Sequence, residues 1–270
     1  MEERLKILSN NPVAKDVYRM ELEGDTSRIV MPGQFVNIRL DGFFLRRPIS
    51  VCDWSLPAGT EKGRLTLIYK VVGAGTDAMS KLRPGQELAM LMGLGHGFET
   101  GASGSHPLLV GGGVGTPPMY GLAKRLALAG RTVDVILGFN TAEDVFFAKE
   151  FDALNDIYEF GCEGFEGAKP EVRVHIATVS GETGTKGFVT DCLGKIADCT
   201  HYYACGPIPM LSALKKAMNE RFPDAKGELS LEERMGCGFG ACVGCSVDTA
   251  SGYKKVCTDG PVFPAADVLN

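Results

Sequence analysis

The sequence predicts a mixed β + α/β chain: an N-terminal antiparallel β-barrel, a parallel α/β domain, and a small cysteine-bearing piece at the C-terminus. Three observations lead there. Residues 1–103 carry short alternating apolar runs between Pro-Gly turns, 104–222 alternate strand-like and helix-like runs around glycine-rich loops, and 223–270 hold four of the nine cysteines but few large apolar side chains.

The barrel rests on runs such as Met31–Leu40 (MPGQFVNIRL) and Gly63–Val72 (GRLTLIYKVV), which alternate with the period of a strand, and on the Pro84-Gly85 turn with the apolar run after it. A stretch of small residues, Gly101–Ser105, marks the first boundary. Beyond it, Pro107–Val110 reads as a strand, followed by a glycine loop and a helical stretch through Ala129. Val133–Phe139 is a second strand with another helical stretch behind it. Val172–Val179 and Tyr202–Cys205 are further strands, and Met210–Met218 is helical. The segment 161–169 reads as a loop. From about Pro223 the chain has too little apolar content to fold alone, so a metal centre is the expected source of its stability.

Composition narrows the function. The 270 residues are 44% hydrophobic and 23% charged, as in a globular protein. A net charge of −5 without a Lys/Arg cluster argues against nucleic acid, which needs a basic face. The segment MEERLKILSN lacks the apolar core of a signal peptide, and no run approaches the ~18 apolar residues of a membrane helix, so a cytoplasmic location is expected. Nine unevenly placed cysteines in a reducing compartment do not read as a disulfide framework.

The cysteines carry the strongest chemical signal. Cys237, Cys242 and Cys245 stand in C-x4-C-x2-C spacing, with Cys257 further on, the plant-type arrangement for a [2Fe–2S] cluster. Two irons need four converging thiolates, and one loop can supply three only if it curls tightly. Gly236, Gly238, Gly240 and Gly244 permit that curl and let backbone N–H groups approach the sulfurs. Structural zinc is the competing reading, but it usually takes two C-x2-C knuckles or added histidines, and here there is one knuckle and no nearby histidine. Cys52, Cys162, Cys192 and Cys199 read as small packing residues.

Two loops read as a nucleotide site. Val110–Met119 (VGGGVGTPPM) turns a strand into a helix, and Gly112, Gly113, Gly115 and Thr116 would let the backbone approach a pyrophosphate. The register is not that of G-x-G-x-x-G, since Thr116 holds the third glycine position when counting begins at Gly111. A merely tight strand–helix turn is the alternative. Cys205-Gly206-Pro207 ends a second strand before a helix, and ligands of open α/β sheets bind at the carboxyl ends of strands, so the two loops could line one cleft. Asn140-Thr141 after the next strand offers no basic pair for a 2′-phosphate, which favours NAD over NADP. His96, His106, His175 and His201 are scattered and read as surface or packing residues. No Ser/His/Asp set, Cys/His set or paired carboxylates appear.

At this point the residues resemble the ferredoxin–NADP reductase superfamily, which binds FAD on its barrel through an Arg-x-Tyr-Ser signature. Here the segment is Arg47-Pro48-Ile49-Ser50, with Ile where the flavin-stacking Tyr usually lies. Arg46–Asp53, Tyr69–Thr76, Gly93–Phe98, Gly187–Asp191 and Cys257–Phe263 follow in order, and with the cysteines they are similar to the electron-transfer subunits of heteromeric dihydroorotate dehydrogenases. His96 in place of Asn and Thr178–Glu182 in place of an Asp-rich turn are departures. The resemblance implies FAD at Arg47, Pro48, Ile49, Ser50, Ile68, Tyr69, Lys70, Gly75 and Thr76, and a nicotinamide neighbour in Cys205. It further implies an FMN-containing catalytic partner that oxidises dihydroorotate, in a heterotetramer of two copies of each chain, with electrons reaching NAD⁺ through the cluster and FAD. The docking surface is expected as an exposed apolar face around the cluster loop and the C-terminal tail. Two other functions share parts of this pattern: a small flavin and iron–sulfur subunit of an NAD(P)H–ferredoxin or sulfide oxidoreductase, and a non-enzymatic binding module stabilised by zinc.

Overall fold

A computed structural model of the chain describes residues 2–58, 62–156 and 170–269. The chain forms two compact units, one made of residues 1–97 with 231–262 and the other of 98–230 with 263–270.

The first unit is built on six strands: β1 (Glu2–Ala14), β2 (Val17–Gly24), β3 (Phe35–Ile38), β4 (Arg47–Ser55), β5 (Gly63–Lys70) and β6 (Glu87–Leu94). They close in the order β1-β2-β5-β4-β3-β6, and closure removes the exposed strand edges an open sheet would carry. The alternation read from the sequence becomes the barrel interior. Leu5, Met20, Leu22, Val36, Ile38, Val51, Leu65, Leu67, Tyr69 and Met90 fill it. Pro48 sits near the start of β4, where a missing N–H costs the ladder little. A short helix, α1 (Ala74–Ser80), follows β5.

The second unit holds a sheet in which β7 (Pro107–Gly112), β8 (Val133–Phe139), β9 (Val172–Thr178), β10 (Thr185–Lys186), β11 (His201–Cys205) and β12 (Lys226–Ser230) pair in parallel. The order is β10-β9-β8-β7-β11-β12, with a last short strand, Val262–Pro264, at the edge. Helix α2 (Thr116–Leu128) opens with Pro117 and Pro118, whose missing N–H groups are tolerated in a first turn, and buries Met119, Leu122 and Leu126. The second helical stretch expected after Phe139 is only the short α3 (Ala148–Asp152) among the described residues, with Phe147 at φ +66° just ahead of it. Helix α4 (Ile208–Arg221) buries Leu211, Leu214 and Met218. Lys215 Nζ on it donates to the Val268 carbonyl at 2.8 Å, tying down the C-terminal tail. The expected loop at 161–169, with Cys162, lies outside the described residues.

No helix among the described residues is long and apolar enough to cross a membrane.

Candidate functional site

The cysteine loop belongs to the first unit. Cys237 and Cys242 are half-buried, while Cys245 and Cys257 are 1% exposed. A hairpin explains the long gap before the fourth cysteine. Strands β13 (Ser246–Thr249) and β14 (Gly252–Lys255) pair antiparallel with Ser246 opposite Lys255, so the chain returns and sets Cys257 beside Cys245. The Val256 N–H donates to the Cys245 carbonyl at 2.9 Å and closes the base of the hairpin. At the other end the Cys242 N–H donates to Cys237 Sγ at 3.4 Å. Gly236 and Gly244 both flank the Cys242 sulfur, where an added Cβ would stand 3.3 and 3.6 Å from it.

The electrostatics suit thiolates. Burial alone would resist ionisation of Cys237, but the N–H groups of Phe239, Cys242 and Ala241 and the Cys242 side chain converge on its sulfur and bring its pKa down to about 6. Cys257 is pushed up to about 11 by burial, by its hydrogen bond with Cys245 and by the repulsion of the neighbouring thiols. The Cys242 side chain thus bears on the Cys237 sulfur and that of Cys245 on Cys257, and Cys237 is also close enough to Cys257 to repel its thiolate. Among the described residues no three His, Cys, Asp or Glu side chains stand at the spacing of a single ion. Three thiols in C-x4-C-x2-C spacing with a fourth brought in by the hairpin suit two irons sharing four thiolates.

The flavin residues predicted from the sequence lie on the same unit. The Arg47 guanidinium rests on Gly75: a Cβ there would meet Arg47 Nε at 2.0 Å, so the guanidinium lies this close because the residue is glycine. Arg47 Nη1 donates to the Leu45 carbonyl at 2.6 Å, and the guanidinium lies 5.0 Å from the centroid of the Phe43 ring. Thr76 Oγ1 accepts the Val72 N–H at 2.9 Å and so holds the turn that presents Gly75. A fixed cation against a glycine at the start of α1 fits a diphosphate. Ile49 packs against the barrel core, and Pro48 and Ser50 alternate to the outer face. Tyr69 is 2% exposed, donates to Asn10 Oδ1 at 2.9 Å, and is pushed up to about 12 by burial. Its side chain is part of the core. Ile68 is buried outside that core and Lys70 is exposed.

One residue that sequence reasoning missed joins these groups. Asn37 on β3 is 1% exposed and its Nδ2 donates to the Cys237 carbonyl at 3.2 Å. The available signal was a lone amide inside the short buried run Phe35–Ile38.

In the second unit the two glycine loops meet. Register places Cys205 beside Gly111 at the carboxyl ends of β11 and β7. A Cβ on Gly115 would stand 2.1 Å from the Cys205 carbonyl oxygen, and Cβ atoms on Gly112 and Gly206 would strike Met210 at 2.4 and 2.6 Å. Backbone therefore lies directly on backbone where the two loops cross. Gly113 turns at φ +53° with open space around it, and Pro207 caps α4. The Thr116 hydroxyl is buried without a hydrogen-bond partner among the described residues. An orphaned hydroxyl at a glycine-lined helix start fits a pyrophosphate. Cys205 is 2% exposed. Glu182 Oε2 accepts the Ala142 N–H at 3.2 Å and pins the loop after β9 to the loop after β8.

The histidines lie against carboxylates or backbone. His106 and His175 meet Asp198 and Asp134 at 3.0 and 3.3 Å, His201 lies buried 3.6 Å from Glu228, and the His96 N–H donates to the Gly260 carbonyl at 2.6 Å. Cys52, Cys192 and Cys199 are buried, away from the cysteine loop in sequence. The apolar face expected at the docking surface is present on the loop, where Phe239 and Val243 are 57% and 76% exposed. The tail does not contribute as expected: Phe263, Ala265 and Val268 are buried, because the tail packs into its own unit.

Known proteins match this arrangement. The family model described as the iron–sulfur cluster binding domain of dihydroorotate dehydrogenase B matches residues 232–269, and the oxidoreductase NAD-binding domain matches residues 109–216. The chain is 42% identical over 278 residues to a Geobacillus sp. (strain WCH70) protein named "Dihydroorotate dehydrogenase B (NAD(+)), electron transfer subunit", covering 99% of this chain and 98% of that one. A Bacillus mycoides (strain KBAB4) protein of the same name is 40% identical over 280 residues, with the same coverage. Among solved structures, one reported as an NADH-dependent reduced ferredoxin-NADP oxidoreductase superposes with a TM-score of 0.80 at 28% identity, over 98% of this chain and 89% of that one. A ferredoxin-NADP+ reductase from Plasmodium falciparum superposes at TM-score 0.61 with 12% identity, over 84% and 95%, which is a likeness of fold.

Proposed function

Because the chain belongs to the family of dihydroorotate dehydrogenase B (NAD(+)) electron transfer subunits, we propose that it takes electrons from a dihydroorotate-oxidising catalytic subunit and delivers them to NAD⁺ in pyrimidine synthesis. It is an NAD-linked oxidoreductase subunit whose cofactors are FAD, a [2Fe–2S] cluster and NAD. The observation that carries the reading is the presence, on one compact unit, of the four spaced cysteines and the Arg47–Gly75 contact of the flavin signature.

Bound FAD supplies the exchange between a two-electron nicotinamide couple and one-electron carriers. The chain's own residues bind and orient. Cys237, Cys242, Cys245 and Cys257 hold the cluster. Arg47, Gly75 and Thr76 take the flavin diphosphate, with Pro48, Ile49, Ser50 and the Ile68, Tyr69, Lys70 strand end along the rest of the cofactor. Gly112, Gly113, Gly115 and Thr116 take the NAD pyrophosphate, and Cys205, Gly206 and Pro207 flank the nicotinamide. In this division residues 1–103 serve FAD, 104–222 serve NAD and 223–270 serve the cluster.

The partner carries FMN, and the assembly holds two copies of each chain. Phe239 and Val243, exposed beside the cluster cysteines, form the centre of the docking face. A cytoplasmic setting keeps the cysteines reduced for ligation. The NADH-dependent reduced ferredoxin-NADP oxidoreductase shares the architecture at 28% identity, against 42% for the dihydroorotate dehydrogenase subunit. A zinc module is disfavoured by the cysteine spacing and by the iron–sulfur family match.

Co-purification with the FMN-containing subunit tests the proposal. The complex is expected to form NADH from dihydroorotate and NAD⁺, and the isolated chain to form none. A chain that reduces ferredoxin from NADH at full rate, without binding that subunit, contradicts it.

A further inference from the structure

Asn37 is a buried amide on the outer face of the barrel. Val36 and Ile38 point into the barrel core, so Phe35 and Asn37 lie on the outer face of β3, yet both are buried. Segments around the cysteine loop cover them. Phe35 lies under Gly95 and Pro261, where a Cβ on Gly95 would stand 3.0 Å from the Phe35 ring and 2.6 Å from Pro261 Cδ. Asn37 lies under the Cys237-Gly238 peptide. Its Nδ2 donates to the Cys237 carbonyl at 3.2 Å, and a Cβ on Gly238, which turns at φ +77°, would stand 2.2 Å from that nitrogen. Asn37 Oδ1 is buried without a partner among the described residues. A position that needed only burial would hold an aliphatic residue like its neighbours, since an under-bonded buried amide is costly.

Opposed residues of an antiparallel pair share a face, and Asn37 is opposite Pro48 while Phe35 is opposite Ser50. The cysteine loop therefore rests on the same outer face as two residues of the Arg47–Ser50 flavin segment, with Asn37 as its fastening point. Arg46 Nη1 reaches the Asn37 carbonyl at 3.5 Å, so the anchor is held from the flavin strand as well. We infer that Asn37 is a positioning residue that fixes the cluster against the flavin-bearing strands, and so sets the efficiency of electron transfer between cluster and FAD. This rests on the electron-relay reading.

The test uses the full chain loaded with FAD and cluster, as wild type, Asn37→Asp, Asn37→Ala and Gly238→Ala. Iron and FAD content, the electron paramagnetic resonance spectrum of the reduced cluster, the rate of flavin reduction by NADH and the rate of cluster reduction that follows are all measured. Asp keeps the shape of Asn but when ionised cannot donate to the carbonyl, and Asn37→Ala removes the donor without adding a charge. Asn37→Asp is expected to retain iron and to be reduced at flavin by NADH as in wild type. Its cluster spectrum should shift, and transfer to the cluster should slow by about tenfold or more, the penalty of a small misplacement. Gly238→Ala should reproduce the spectral shift by pushing the peptide off Asn37. Wild-type spectra and transfer rates in all three variants would overturn the inference. So would parallel loss of iron and of flavin reduction, because a general folding role moves both. A wild-type chain without iron overturns the relay reading itself, and the inference with it.

Discussion

On the proposed reading, the cysteine loop and the crossed glycine loops solve the same problem, holding an inorganic or charged group, by opposite means. In the first unit side chains hold the ligand, and glycines only let the chain curl: Gly238 and Gly240 turn at φ +77° and +89°, and Gly236 and Gly244 leave room around the Cys242 sulfur. In the second unit the proposed binding surface is backbone, and the glycines at 112, 115 and 206 stand where neighbouring atoms leave no space for a Cβ. The difference shows where each site is brittle. A ligand loop fails when one sulfur is removed, whereas a backbone cradle fails when one methyl is added.

The sharpest way to break the comparison is Cys242→Ser. Its outer-shell neighbours alone would cost ten- to a hundredfold in metal affinity, so losing the ligand should cut cluster-dependent electron transfer by more than about a hundredfold. NADH should still reduce the flavin at the wild-type rate, as stopped-flow absorbance would show.

Next is Gly115→Ala. The added carbon would meet the Cys205 carbonyl, rigid backbone that cannot rotate aside, so a stability loss of about 1–3 kcal/mol is expected. The KM for NADH should rise, with the reduced-cluster spectrum unchanged. A mild result would mean that the crossed loops can separate.

Gly75→Ala should be weaker, because the obstructing atoms are the far end of the flexible Arg47 side chain. Roughly tenfold weaker FAD retention, about 1.4 kcal/mol, is expected with little change in melting temperature.

Tyr69→Phe should be smallest. It removes the hydrogen bond to Asn10, worth about 1 kcal/mol at neutral pH. The folded-state pKa of Tyr69 is raised to about 12 against an ordinary value of 10.0, so the protein is favoured fully below pH 10 and loses that stabilisation as pH climbs from 10 toward 12. Denaturation midpoints across that window should fall less steeply in the Phe variant.

What the sequence made legible follows the same division. Four sulfur ligands at fixed spacing are readable because the chemistry lives in side chains close in the chain, and the hairpin that delivers Cys257 needs only a local turn. The glycine loops were readable as nucleotide-binding in type, but not in detail. That Gly115 lies on the Cys205 carbonyl depends on β7 and β11 pairing in parallel, across nearly a hundred intervening residues. Asn37 was invisible for the same reason, since its partner lies 200 residues away and the strand around it reads as ordinary apolar barrel. The tail was misjudged because Phe263 and Val268 look like an exposed apolar stretch until Lys215 and the surrounding sheet cover them.

The most direct test of the central claim is to purify the chain, record its absorption spectrum, and quantify iron, acid-labile sulfide, zinc and extracted flavin on the same sample. The account expects FAD with about two irons and two sulfides per chain. Zinc in place of iron, or no flavin, would contradict it.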